Sequence, residues 1–570
     1  MKKNVKVFSL VMALLLMLGM LAACTSAAPA PTTAAPADTT TATTEATKAP
    51  EATPTPEAVT LSIGMPNIGR DENPPGSGEY PDDNWATRYI VENFAKPNNI
   101  NLKFQLIDNT NDSSDQNYLL MMASQKAPDL AYITDSICLN LANNEALADY
   151  QASLDKYGAD LKKYLGEEFI QNRGTFNGIF DKLYTIPGKE DIPAISHYWI
   201  RKDWCDALGL TVPTNFDEWY STMKAFKARA SELEAAGRVK KAADVIPYAM
   251  YHTRYFTDWE RIVTTFYPIK YFDPKNLDYY CYSGYGLEYM KEGFKEGFQF
   301  MNQMYKDGLI SPNFALDSEQ TEFDRDIAAG NAGSYCNNLF DGWQPNDPNA
   351  KQNVCKQNIP NAEFVYCDTF TNKNDGMKRN PLDYDVLTHI ITPYYSKAVD
   401  QAMMYLNYIA TGDNMITLQY GEKDVTYTMD DVVGPITKGD DAKKAWGHQT
   451  VGRYVIMIGR LPKRDWSVAL SAGATTNEQA AEAVRLCNEI EKNGYTRFPV
   501  ELTATPERGS LIGTLRPVWQ KFLSNLIMAE DGKFEEVWTA GVKELEDTGS
   551  KTLYEAYIRD LTKAGYAFAK

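Results

Sequence analysis

The chain has 570 residues, 44% of them hydrophobic, and 57 lysines and arginines against 75 aspartates and glutamates, for a formal net charge of −18. That acidity excludes a nucleic-acid binder, whose surface must neutralise phosphates with basic side chains. The length exceeds what one hydrophobic core supports, so two or more lobes are expected.

The first residues read as a targeting signal. Lys2, Lys3 and Lys6 precede an apolar run from Val7 to Leu21, followed by the small residues Ala22 and Ala23. That order is a secretory signal peptide over residues 1–23, and its apolar stretch falls short of the ~20 residues a bilayer span needs. Leu21-Ala22-Ala23-Cys24 resembles the bacterial lipobox, which implies cleavage before Cys24 and a diacylglycerol on its sulfur; secretion with an incidental cysteine is the alternative. Losing residues 1–23 removes three lysines and no acid, taking the net charge from −18 to −21. No later stretch is apolar for long enough to span a membrane.

Residues 24–58 comprise the lipidation candidate and a linker of alanine, threonine, proline and glutamate without an aromatic residue or a leucine. Such a segment buries too little apolar surface to offset its conformational entropy. Its prolines favour an extended spacer.

Strand-like and helical stretches alternate from Val59 onward, the pattern of an α/β protein. The first strand is expected over Val59–Met65. Thr214 with Asp217 predicts a capping box opening a helix, along which Phe216, Trp219, Met223 and Phe226 recur at helical spacing. Leu287, Met290, Phe294, Phe298, Met301 and Tyr305 form a longer stripe closed by Asp307-Gly308. Phe534, Val537, Trp538, Val542 and Leu545 form another. These stripes are read as core. Of eight cysteines, none lies in a CxxC pair, which leaves no thioredoxin-like or zinc-ribbon site. Cys355 and Cys367 are close enough in sequence to close a local loop, but scattered buried thiols suit a fold of this size, which does not depend on disulfides.

Several segments then carry a family resemblance: Met121-Met122-Ala123-Ser124-Gln125-Lys126-Ala127-Pro128-Asp129-Leu130, Ala146-Leu147-Ala148-Asp149-Tyr150, Asp181-Lys182-Leu183-Tyr184-Thr185-Ile186-Pro187-Gly188, Trp199-Ile200-Arg201-Lys202-Asp203-Trp204, and Tyr305-Lys306-Asp307-Gly308-Leu309-Ile310. In this order they resemble the extracellular solute-binding proteins of family 1, in the long lipoprotein branch of the firmicutes. The resemblance runs from about residue 60 to the C-terminus. It implies a two-lobed, periplasmic-binding-protein-like fold of type II, with the ligand cleft between hinged lobes. Lobe 1 is expected from residues 59–188 plus 338–425, and lobe 2 from residues 189–337 plus 426–570. It also implies the substrate-capturing subunit of an ABC importer: a monomer, held at the extracellular face of the membrane only by its lipid, that passes a solute to the permease's transmembrane subunits. The supply of aromatic residues, 35 tyrosines and 10 tryptophans, favours an oligosaccharide; a peptide or other solute is the alternative.

Catalytic chemistry has little to draw on. There is no GxSxG, P-loop or HExxH, and His197, His252, His389 and His448 are not helically paired. A glycosidase needs only two well-separated carboxylates, so a secreted glycan-degrading enzyme is the rival reading, beside a surface adhesion or signalling lipoprotein. No cofactor is expected. Relatives carry a calcium loop where this chain has Ala228 to Asp244, which lacks alternating oxygen ligands, so no metal is expected there.

Cleft residues are placed by position. Asn84 and Trp85 follow the first strand, in a polar loop. Asp135 follows a strand over Leu130–Thr134 at its carboxyl end, the usual ligand side. Arg254, Tyr255 and Trp259 crowd one loop-like stretch. Asp341 and Trp343 follow a strand over Gly333–Asn337, where relatives place a stacking tryptophan. Arg201 and Trp204 are read as structural.

Overall fold

The computed structural model describes residues 57–563 except 68–77, 109–113, 134, 177, 179, 193–195, 252–256, 273–285, 341–343, 345, 368–370, 383–385, 440–456 and 497–504. Its strands are β1 Val59–Asn67, β2 Ile100–Asp108, β3 Ala131–Ile133, β4 Ile186–Lys189, β5 Ser196–Arg201, β6 Ile246–Ala249, β7 Ala332–Asn338, β8 Phe364–Tyr366, β9 Asn380–Leu382, β10 Val386–Ile391, β11 Tyr427–Asp430, β12 Gly434–Thr437 and β13 Gly494–Thr496. Helices fill most of the intervals, as the alternating pattern predicts.

Two sheets organise the molecule. In the first, β1 and β2 pair in parallel, and a bridge between Ile63 and Leu130 joins them to the β3-β10-β4 sheet, in which β10 runs antiparallel to both neighbours. Apolar side chains alternate across its faces. Leu61, Ile63, Ile186 and Ile390 pack with the helices Trp85–Ile90, Gln151–Tyr157 and Val399–Ala410, while Ile107, Ala131, Ile133 and Ile391 pack with Ser114–Ala123 and Asp135–Asn143. The second sheet has the order β6-β7-β5-β8, with β5 antiparallel to β7 and β8 and with β6 parallel to β7. On one face Tyr198, Ile200 and Cys336 meet the helices Phe216–Ala228, Thr257–Thr264, Phe294–Lys306 and Pro506–Ile527; on the other Trp199 and Tyr335 meet Phe323, Ile327 and Cys355.

The stripe Phe216, Trp219, Met223 and Phe226 is buried as predicted. Its cap lies one residue later than expected: Asn215 is the N-cap and accepts from the Glu218 amide, while Thr214 donates through its amide and hydroxyl to the Glu218 carboxylate. Asn is as good a cap as Thr, but Glu218 accepts from the Thr214 amide and not from that of the N-cap, so the reciprocal capping box is not closed. The stripe expected to begin at Leu287 enters its helix only at Phe294, because Gly293 breaks the backbone at φ +84°. A side chain there would press its Cβ to 2.3 Å from the Phe266 carbonyl oxygen.

The switch of sheets expected at residue 338 comes later. β8 pairs with β5, and Cys355, Ile359 and Phe364 pack with Trp199 and Tyr335, so residues 351–366 belong with the second sheet. The chain rejoins the first sheet at Val386. Residues beyond 425 also differ from expectation, since Met457 and Ile458 pack in the first sheet's core. The strand order cannot be read from local pattern, because the partners of β5 and β10 lie far away along the chain, as at Ser196–Asn338 and Ile390–Tyr132.

Arg201 and Trp204 are fully buried, as the structural reading expects. Cys138, Cys205, Cys336, Cys355, Cys367 and Cys487 are buried thiols, so Cys355 and Cys367 close no loop. No described helix is long and apolar enough to cross a membrane.

Candidate functional site

Strand direction locates the site. In the first sheet β1, β2, β3 and β4 all point the same way, so their carboxyl ends share one edge with the start of β10. In the second, the carboxyl ends of β6, β7 and β8 share one edge with the start of β5. The chain leaves β4 at its carboxyl end and enters β5 at its start through residues 190–195, and passes from the end of β8 to the start of β10 through residues 367–385. Both connections therefore join carboxyl edge to carboxyl edge. That is where α/β sheets bind ligands and where clefts between lobes form.

A third segment, residues 457–461, runs beside the first connection. The Lys189 amide donates to the Ile458 carbonyl, and the Thr388 hydroxyl donates to the Met457 carbonyl at 2.6 Å. Arg460 clamps Glu190 with two bonds, Nε to Oε1 at 3.2 Å and Nη2 to Oε2 at 3.0 Å. The two segments touch so closely that a Cβ on Gly188 would sit 2.1 Å from the Met457 carbonyl oxygen. Beside them Tyr164 donates to the Leu461 carbonyl at 3.2 Å, and burial, with the charges of Asp191 and Glu190, pushes its hydroxyl well above the usual tyrosine range. Asp191 is 6% exposed, with Lys189 Nζ 3.3 Å from Oδ1.

At the facing edge, His197 opens β5. Its ring is fully buried and stacks on Tyr366 of β8, with centroids 5.0 Å apart. Arg261 Nη2 lies 2.7 and 2.8 Å from the two ring nitrogens. A guanidinium has only N–H donors, so the nitrogen it bonds is the unprotonated one. Sequence reading missed Glu190, Asp191, His197, Arg261 and Arg460. The available signal was Lys189-Glu190-Asp191, three charged residues at the end of a short, otherwise apolar strand.

The predicted site residues divide. Trp85 opens the helix Trp85–Ile90, which follows β1, and is half-buried, its ring stacked on Tyr89 at 4.8 Å and 10°. Asn84 is corrected: it is fully buried as that helix's N-cap, accepting from the Thr87 amide and donating to the Tyr80 and Pro81 carbonyls. Trp259 is corrected likewise. It lies on the inner face of the helix Thr257–Thr264, 2% exposed, against Phe294, Phe298 and Trp519, because the expected loop is a helix whose apolar side is core. Asp135 begins the helix Asp135–Asn143 at the end of β3, with its side chain outside the described residues. Arg254, Tyr255, Asp341, Trp343 and Cys24 also lie outside them.

A groove of about 810 Å³ lies elsewhere. Its walls include Ile246 and Asn331, at the amino ends of β6 and β7, with the ion pair Lys306–Asp531 at 2.9 Å. It opens at the sheet edge opposite the connections.

No family model matches the chain. It is 26% identical over 259 residues to the fructooligosaccharide ABC transporter substrate-binding protein FusA of Streptococcus pneumoniae serotype 4, a match spanning 42% of this chain and 44% of that protein. The chain thus matches less than half the length of that curated relative. Its structure resembles an HMO-binding, ABC-transporter-associated solute-binding protein of Bifidobacterium longum infantis, with a TM-score of 0.60 and 14% identity over 90% of this chain and 100% of the other. It also resembles S. pneumoniae FusA in complex with kestose, with a TM-score of 0.57 and 14% identity over 89% of this chain and 99% of the other. The two-lobed α/β fold and the resemblance to extracellular solute-binding proteins are borne out.

Proposed function

We propose that this chain is the lipid-anchored, substrate-capturing subunit of an ABC importer, that it takes up an oligosaccharide in the cleft between its two sheets, and that it hands the sugar to a membrane permease without chemical change. The observation that carries this reading is the convergence of both carboxyl edges on the connecting segments. The likeness to substrate-binding proteins, two of them named for oligosaccharides, supports it. Lobe 1 then comprises the first sheet with residues 386–461, and lobe 2 the second sheet with the C-terminal helices. Hinge closure about the described parts of the two connections, residues 190–192 and 371–382, buries the ligand. Trp85 offers a half-exposed aromatic face at the first edge, and Trp343 is proposed as a second stacking surface. Cys24 carries the lipid, on the lipobox pattern of Leu21-Ala22-Ala23-Cys24.

A thermal-shift screen of residues 58–570 against oligosaccharides tests the reading. A sugar at 100 times its Kd stabilises by about 2.7 kcal/mol, and chromatography afterwards returns it intact. Cleaved product establishes an enzyme instead, and no shift with any oligosaccharide rejects the sugar reading.

A further inference from the structure

Asp191 is the buried charged group at the connections that the fold leaves incompletely used. It lies two residues past the end of β4, on the first connection between the sheets. Its residue exposure is 6%, and its Oδ1 accepts no hydrogen bond among the described residues. Lys189 Nζ, 3.3 Å away, balances the charge at an angle that makes no hydrogen bond. Its neighbour Glu190 is by contrast saturated: both oxygens bind Arg460, and Oε1 also accepts from the Ile192 amide at 3.0 Å.

A buried carboxylate oxygen without a donor costs on the order of 1–3 kcal/mol or more. Such a group persists where a donor arrives from outside the fold. Nothing in the first connection requires it for folding, because the Glu190–Arg460 clamp and the Lys189–Ile458 backbone bond already join the segments. It sits on the first connection, beside the carboxyl edge, with its Oδ1 closed to solvent, so a solute meets it only in a more open arrangement of the connections.

We propose that Asp191 is a specificity-determining residue of the solute site, its Oδ1 accepting a hydrogen bond from a hydroxyl of a neutral sugar. This rests on the oligosaccharide reading above. A carboxylate accepts only, so the ligand must present a donor at that position, and a sugar carrying a carboxylate there meets like charge. The site selects neutral, hydroxyl-rich oligosaccharides over acidic ones.

Calorimetry on the soluble chain decides it, with the best neutral oligosaccharide from the screen, its single-deoxy analogues and a uronic-acid oligosaccharide. The expected result is at least a ten-fold loss of affinity in Asp191→Ala, which removes the acceptor, with an unchanged or higher melting temperature. One deoxy analogue should weaken binding to the wild type but cost nothing further in the variant, and the preference against the acidic sugar should narrow. Asp191→Asn, which keeps a carbonyl oxygen as acceptor at the same position, should recover part of the loss. Wild-type affinity in a folded Asp191→Ala overturns the proposal and leaves the oligosaccharide reading standing. If neither variant folds, Asp191 is a folding residue and the proposal falls. If the wild type binds no oligosaccharide, the underlying reading fails and takes this one with it.

Discussion

Arg201 and Asp203 form a buried bidentate pair, Nε to Oδ1 at 2.7 Å and Nη2 to Oδ2 at 2.7 Å, with side chains 0% and 6% exposed. The guanidinium uses its remaining donors on the Gly330 and Arg238 carbonyls and lies 4.9 Å from the Trp204 ring. The Asp203 carboxylate also accepts from the Glu363 amide, which ties β8 to the helix after β5. This pair explains the Arg201-Lys202-Asp203-Trp204 segment: it fixes the second lobe from within.

Removing one partner strands the other charge in the core, which costs about 3–5 kcal/mol. Arg201→Met and Asp203→Ala should each lose that much in urea unfolding. The double variant should lose less than the two single losses combined, because neither leaves a lone charge behind. Additive losses would show that the two side chains do not act as a pair.

Two tryptophans separate binding from packing. Trp85→Ala should weaken oligosaccharide binding by about 2 kcal/mol, the scale of an interface hot spot, which is roughly 30-fold, with a smaller loss of stability. Trp259→Ala should cost about 3–5 kcal/mol of stability through the cavity it leaves, and its folded fraction should bind normally. Calorimetry paired with denaturation of both variants checks this. The opposite pattern would exchange their roles.

The cysteines should be chemically silent. Burial pushes the thiols of Cys205 and Cys487 up to about 12, and the reactive species is the thiolate. At pH 8 a disulfide reagent should modify these two positions in denaturant but not in the native protein, as peptide mass mapping reads out. Rapid native labelling of either would place it at the surface.

Asp326 offers a pH test. Burial raises its carboxyl above the ordinary aspartate value, against the favourable pull of Arg325. A raised folded-state value means that the folded protein binds the proton more readily than the unfolded chain does. Its stabilising contribution is therefore present at acid pH and lost as pH rises through the folded value. Asp326→Asn, neutral throughout, should melt higher than wild type at pH 7. The gap should close near pH 3, below the usual aspartate value of about 3.9. The exposed Arg325 contact, at 3.3 Å, adds little against this. An equal gap at both pH values would trace the effect to packing.

The candidate site was partly legible beforehand. Trp85 stood out because polar residues surround it in a loop after a strand, and the structure leaves it half-exposed there. Trp259 misled because its helix is only eight residues long, too short for the periodic signal to outweigh its aromatic neighbours. Asn84 looked like a binding residue for the reason that makes it a cap: a short polar side chain at a turn suits either use. Asp191 carried only the mark of the charged run Lys189-Glu190-Asp191, and burial is what separates it from other acidic residues.

Local chemistry determined the elements. The spacing of Phe216, Trp219, Met223 and Phe226 specifies a helix and its inner face, because side chains three and four residues apart fall on one side of it. The ordered motifs from Met121 to Ile310 were enough to anticipate a two-lobed solute-binding fold. What only the tertiary structure decided was which strands pair, and hence which ends meet. β5 lies between β7 and β8, whose residues pair with it 142 and 167 positions away along the chain at Ser196–Asn338 and Trp199–Tyr366. Those pairings bring the ends of β4 and β8 and the starts of β5 and β10 to the connections, and bring Glu190 to Arg460 and His197 to Arg261. Such contacts arise from burying whole sheet faces at once, a free energy summed over the fold, and no window of sequence contains it.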